Sequence, residues 1–135
     1  MANTLYDEAR KGYLEGEFNW LNDTVKVILV STQAYTVNTT THKFLADISS
    51  SAIIAGPQTL SGKSTLGGAA DANDVTFPAV AGGAIGAIVI YVDSGQAATS
   101  KLLAYLDTAT GLPITPNGGD IIITWDNGAN KIYKV

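Results

Sequence analysis

The residues able to do chemistry are few and scattered. Gly62-Lys63-Ser64, with Gly56 ahead of it, has the outline of a phosphate-binding loop. Such a loop needs four residues between its glycines, so that successive backbone N–H groups wrap a phosphate. Here five intervene, Pro57 to Ser61, and Pro57 has no N–H to give. No helical pattern follows Ser64, and a surface turn is the plainer reading. His42 is the single histidine, preceded by three threonines and followed by Lys43. A Ser-His-Asp arrangement is formally available, but no Gly-x-Ser-x-Gly elbow occurs, and an exposed loop accounts better for His42. Asp71 and Asp74 lie in Ala-Ala-Asp-Ala-Asn-Asp. Paired carboxylates can hydrolyse glycosides or ligate calcium, yet the EF-hand spacing is absent and no bidentate Glu follows. A solvated loop is the expectation. One histidine and no cysteine disfavour zinc. Nothing in the sequence assigns a catalytic residue, a cofactor or a metal.

Composition narrows the function classes. The chain has 135 residues, one domain's worth, and enough to bury a core without metal or disulfide. Eight Lys and Arg stand against twelve Asp and Glu, for a formal charge of −4. The positive charges are spread singly, whereas a phosphate backbone is read by a basic face, so no nucleic-acid partner is expected. The longest apolar run, Ala84 to Val92, is too short for a membrane span of about 20 residues. The first residues carry acidic charge and no apolar signal core, so use without Sec export is expected. The sequons at Asn22 and Asn38 then carry little meaning.

Residues 1–30 hold most of the unusual chemistry. Charge concentrates between Asp7 and Glu17, interleaved with Leu5, Tyr6, Tyr13, Leu14, Phe18 and Trp20. Leu5, Ala9 and Tyr13 share a face at helical spacing. Thr4 and Asp7 outline a capping box, Asp7 and Glu8 suit a helix N-terminus, Gly12 weakens the middle by about 1 kcal/mol relative to Ala, and Gly16 suits the end. So short a helix is marginal alone and must pack on its own body or on a partner. The division expected is a helical arm, residues 1–20, on a β domain, residues 21–135. The six apolar residues are the candidate interface, with Phe18 and Trp20 either clamping the arm or anchoring in a neighbour.

From Asp23 the period becomes two. Strands are expected at Val25 to Val30, Ala52 to Ala55 (ended by Gly56-Pro57), Lys63 to Leu66, Asp74 to Val80, Ala84 to Asp93, Lys101 to Asp107, Asp120 to Trp125 and Lys131 to Val135. Ala84 to Asp93 is apolar on both faces, as a central strand should be. Pro78 argues for an edge position or a bulge. Ser31 to Thr41 reads as a loop or exposed edge. Gly67-Gly68 and Gly82-Gly83 read as turns. Asp126 to Asn130 is a hairpin signal that would pair Trp125 with Tyr133 across strands. About eight short strands favour an all-β, antiparallel sandwich or barrel.

Leu5-Tyr6-Asp7-x-Ala9-Arg10, Leu14-x-Gly16 and Trp20-Leu21-x-Asp23-Thr24-x-Lys26-Val27-x-Leu29-Val30 resemble the start of a family of small tailed-bacteriophage structural proteins. The resemblance continues through Phe44-Leu45-x-Asp47-Ile48, Ala72-x-Asp74-Val75-Thr76-Phe77 and Ala87-Ile88-Val89-Ile90-Tyr91. It ends with Tyr105-x-Asp107 to Pro113, Pro116 to Asp120 and Trp125-Asp126-x-Gly128 to Ile132, and so covers nearly the whole chain. It implies a non-enzymatic virion component similar to capsid cement or decoration proteins, with a jelly-roll-like β-sandwich body. These sit outside a shell of major capsid protein as homo-oligomers on local symmetry axes. A trimer is expected ahead of a dimer, made in the host bacterial cytoplasm and carried on the capsid exterior. The alternative is a tail or host-recognition module binding glycans. That would need exposed aromatics on the body, for which Tyr35, Tyr91 and Tyr105 are the candidates.

Overall fold

A computed structural model describes residues 4–65, 69–107, 114–125 and 132–134. Its strands are antiparallel, with one short helix, so the fold is all-β. The centre is β6 (Ala87–Val92), whose residues 87–91 are all buried. Apart from the buried Tyr91 hydroxyl the side chains there are apolar, so both faces are turned away from water. β2 (Val25–Val30) pairs along its full length on one side and β7 (Lys101–Leu106) on the other. β3 (Ile53–Thr59) and the two-residue β1 (Thr4–Leu5) close the edges, giving the order β1-β7-β6-β2-β3. Two ribbons complete the fold: β4 (Ala69–Ala70) with β9 (Tyr133–Lys134), and β5 (Val75–Phe77) with β8 (Ile121–Ile123). The doubly apolar pattern of the central strand and the alternation of β5 agree with the sequence expectations, although β5 stops before Pro78 where the sequence predicts a strand to Val80.

Three local expectations need correction. β3 does not stop at Gly56-Pro57 but runs through a cis peptide there, with two register shifts against β2. Gly56 makes this possible. Its φ is +100°, and a Cβ would meet the Val27 carbonyl at 2.8 Å. Ala52 belongs to a 3₁₀ turn, Ser50–Ala52, and β3 itself is only half-buried. Second, β8 and β9 are not hairpin partners. Trp125 donates its backbone N–H to Asp74 Oδ1 (3.2 Å) and its indole N–H to the Asn73 carbonyl (3.0 Å), which holds the end of β8 beside β5. Ile132 N–H bonds the Ala70 carbonyl (2.9 Å) and leads β9 onto β4. The turn at 126–130, the Gly67-Gly68 turn, Leu66 and the Tyr133 side chain lie outside the described residues. Third, Ser64 makes one isolated bridge to Asp71, in place of a strand over 63–66.

The helix α1 (Asp7–Leu14) starts later than the capping-box reading implies. Thr4 and Leu5 are strand, paired with Tyr105 and Ala104. Tyr6 is the N-cap residue, without a side-chain cap. The orphan N–H of Asp7 is taken instead by the Thr39 carbonyl at 2.9 Å. The C-terminus is a Schellman closure: Glu17 N–H to the Gly12 carbonyl, 2.7 Å, and Gly16 N–H to the Tyr13 carbonyl, 3.3 Å, with Gly16 at φ +73°.

Gly12 has a reason to be glycine. A Cβ there would lie 2.1 Å from the Phe18 ring. Gly12→Ala should therefore lower stability by about 1–3 kcal/mol through overpacking, although helix propensity alone favours it by about 1 kcal/mol. Urea unfolding measures this, and a rise in midpoint would mean that Phe18 does not lie against the helix.

Candidate interaction surface

The six apolar residues of the N-terminal segment have different fates. Leu5 and Tyr6 are buried, at 7% and 0% exposure. Tyr6 N–H bonds the Leu103 carbonyl (3.0 Å), which extends the β1–β7 ladder into the helix start. Trp20 is buried, and its indole N–H donates to the Asp71 carbonyl at 3.1 Å. Tyr13 and Phe18 are half-buried and meet edge to face, with centroids 5.6 Å apart. Lys101 on β7 sits 6.0 Å from the Phe18 ring centroid and pairs with Glu17 and with Glu8 (3.6 Å). These contacts hold the Lys101 ammonium above its usual range, the Glu17 hydrogen bond foremost.

The segment is therefore part of the body, and the expected arm is corrected. Amphipathic spacing left open whether its apolar groups pack on the body or on a neighbour. Their partners are β7, Tyr35 and the 71–74 loop, distant in sequence. Of the six, only Leu14 stands out in solvent, 89% exposed. It caps a shallow depression on the outer face of α1, lined also by Asp7, Arg10, Lys11 and Glu15. Arg10 pairs with Asp7 (3.1 Å) and Lys11 with Glu15 (4.0 Å), which leaves Leu14 as the apolar projection of that face. Leu21, half exposed, follows in the turn closed by Asn19 and Asp23.

The other sequence candidates are structural. Gly56 lies within β3, and Lys63 turns its ammonium to the Asp23 carbonyl, so no phosphate cradle forms. Burial lowers the Lys63 pKa. The 71–74 loop is gripped by both indoles, while Asp74 accepts from Trp125. Tyr35, Tyr91 and Tyr105 are all buried, at 4%, 2% and 3%, which corrects their candidacy as a glycan platform. Burial pushes the Tyr91 hydroxyl up to about 12.

One constellation had no signal in the sequence. Tyr6 Oη lies 2.7 Å from Tyr35 Oη, and Tyr35 Oη lies 2.9 Å from His42 Nδ1. Asn38 N–H also points at Nδ1, at 3.2 Å. A backbone N–H can only donate, so Nδ1 accepts. Tyr35 therefore donates to His42, and Tyr6 donates to Tyr35. The His42 ring stacks on Tyr35 at 5.3 Å, so His42 is built into the loop rather than freely exposed. Burial raises the Tyr6 hydroxyl far above its usual range, and burial likewise takes Tyr35 to about 12. Both stay neutral at ordinary pH and hold the 31–43 loop to the helix start.

Among the described residues no group of three or more His, Asp or Glu is placed to hold a metal, and no helix is long and apolar enough to cross a membrane. No known protein-family model matches the chain, and a search of curated proteins finds no match.

Two predictions follow from these contacts. Tyr35→Phe should cost more stability than Tyr6→Phe, about 1–3 kcal/mol against about 1 kcal/mol. The first strands the buried Tyr6 hydroxyl, while the second removes one hydrogen bond and leaves Tyr35 donating to His42. Equal or reversed costs by denaturant unfolding would refute the donor order. Acid should also loosen the loops. Backbone N–H groups of Phe44 and Lys43 lower the Asp47 pKa, and the Lys26 hydrogen bond lowers that of Asp93. Both carboxyls titrate lower folded than unfolded, so their contribution is full above the unfolded value of about 3.9 and is lost as pH falls through the folded values. Asp93→Asn should flatten the stability profile below about pH 4, measured by thermal melts across pH.

Proposed function

We propose that the chain is a structural protein of a tailed-bacteriophage virion, of the capsid cement or decoration kind. It binds the outside of the major capsid protein shell as a homo-oligomer and stabilises it without catalysis. It would be made in the host bacterial cytoplasm and end on the capsid exterior. In the same reading the five-stranded sheet and the β4–β9 and β5–β8 ribbons form a jelly-roll-like sandwich; Phe77 of β5 lies across from Gly56 of β3.

The observation that carries the reading is that residues of the resembling motifs make fold-defining contacts. Trp20 and Trp125 grip the 71–74 loop. Asp47 accepts from Lys43 and Phe44 N–H, at 2.8 and 3.0 Å. Asp120 accepts from Ala79 N–H at 3.0 Å, and Asn117 from Gly119 N–H at 2.9 Å. Motifs that specify a scaffold rather than a reactive site suit a virion component, which must persist and need not turn over. The Thr108 to Pro113 motif lies outside the described residues. Burial of Tyr35, Tyr91 and Tyr105 favours the capsid over the glycan-binding alternative.

The test is addition of the recombinant chain to undecorated capsids of its phage, read by binding and by resistance of the shell to heat. Deleting residues 1–20 would remove Leu5, Tyr6 and Trp20 from the core and measure folding instead. Leu14→Asp with Leu21→Asp leaves the core intact. It should cut capsid binding at least about tenfold if both side chains insert in apolar pockets, with an unchanged melting temperature. Failure of the intact chain to bind shells, or its appearance at the tail tip in virion micrographs, would overturn the reading.

A further inference from the structure

We propose that the edge of β8 facing away from β5 is a seam at which two copies of this chain pair strand to strand about a two-fold axis. An unpaired strand edge is a row of backbone donors and acceptors ready to accept another strand, and proteins normally guard it. The two edges of the main sheet are guarded. β1 is two residues long. β3 carries Pro57, a positive-φ glycine and two register shifts. β8 is short as well, at three residues, but it carries no proline, positive-φ residue or register shift. It is Ile121-Ile122-Ile123, continuous in register with β5 on one side. Among the described residues, nothing hydrogen-bonds its other edge.

The side chains around that edge are self-complementary. Asp120, Ile122 and Thr124 are exposed, whereas Ile123 and Trp125 are buried and Ile121 is half-buried. Ile122 is 64% exposed, the second most exposed large apolar residue described after Leu14. With Ile122 on the two-fold, antiparallel pairing sets Ile122 against its own copy, Ile121 against Ile123 of the second copy, and Asp120 against Thr124. No carboxylate then faces a carboxylate, which matters in a chain of net charge −4. The Asp120–Ala79 bond and the Val80–Gly119 bond (2.9 Å) fix the start of β8, so the strand is presented already ordered. The product is a four-stranded sheet, β5-β8 continued by its copy. An isolated two-stranded ribbon is marginal in water, and added strands stabilise it. Isologous edge pairing closes on a dimer, so this seam favours two-fold over the threefold assembly expected from sequence. It does not depend on the capsid reading.

The chain contains no cysteine, so cross-linking reads the seam directly. Directly opposed residues across an antiparallel pair have Cα atoms about 4.5–5.5 Å apart, within the span of a disulfide. Under mild oxidation, Ile122→Cys should form a covalent dimer. Thr124→Cys should not, because its copy sits four residues away along the strand, about 13 Å. Light scattering of the unmodified chain should show a dimer, and Ile122→Lys should weaken it at least about tenfold by opposing like charges at the axis, with unchanged circular dichroism. A monomer at all concentrations, a trimer, equal cross-linking of the two cysteine variants, or an Ile122→Lys chain that dimerises like the parent would each overturn the proposal.

Discussion

The fold depends on one constraint: β6 offers water nothing on either face. Ala87 to Tyr91 must be covered above, below and along both edges. Full pairing with β2 and β7 satisfies the backbone, and those strands are themselves buried almost throughout. Covering β7 then recruits the chain start. β1 adds to its edge, α1 packs on it, and Lys101 ties Glu8 and Glu17 across the join. Partly exposed ion pairs of this sort contribute about 1 kcal/mol or less. Burial of Leu5, Tyr6 and Ala9, at roughly 25 cal/mol per Å² of apolar surface, is the larger effect. The charges fix where the segment lies; the apolar burial keeps it there.

What could be read from the sequence follows from this. Elements whose own periodicity is strong were legible: β6 by its apolar run, β2, β5 and β7 by alternation, the helix end by Gly16. The N-terminal segment was legible as a helix but not as core, because amphipathic spacing says that a face is buried without saying against what. Tyr6 and Tyr35 lie 29 residues apart, and nothing in either local sequence announces the hydroxyl pair. The Asp126–Asn130 signal suggested a hairpin of β8 with β9. Turn chemistry states that the chain can reverse, and pairing is decided by the bonds each flanking strand finds elsewhere, here from Trp125 to the 73–74 backbone and from Ile132 to Ala70.

The same logic separates the candidate sites. Groups that looked chemical in one dimension, Lys63, His42, Asp71 and Asp74, are spent on the fold or held in its loops. The apolar groups that project into solvent are Leu14, a candidate interface residue from its sequence position, and Leu21 and Ile122, to which the sequence assigned no role. Three consecutive isoleucines do not by themselves say which of them faces outward. Only the alternation along β8 shows that the middle one points away.

A built-in N-terminal segment changes the energetics of docking. A free arm that folds on its partner pays about 1–2 kcal/mol of backbone entropy for every residue it orders. Here residues 4–20 already have their hydrogen bonds and packing, so a partner docking as proposed would meet Leu14 and Leu21 on a fixed frame and little of the interaction would be spent on ordering. Such a frame presents a small apolar contact, weak by itself. Weak rigid contacts become strong when copies are joined, because the second contact is then intramolecular. A shell protein repeated many times in fixed geometry is the kind of partner that rewards this arrangement, and a pair of chains joined at β8 would present two such frames at once.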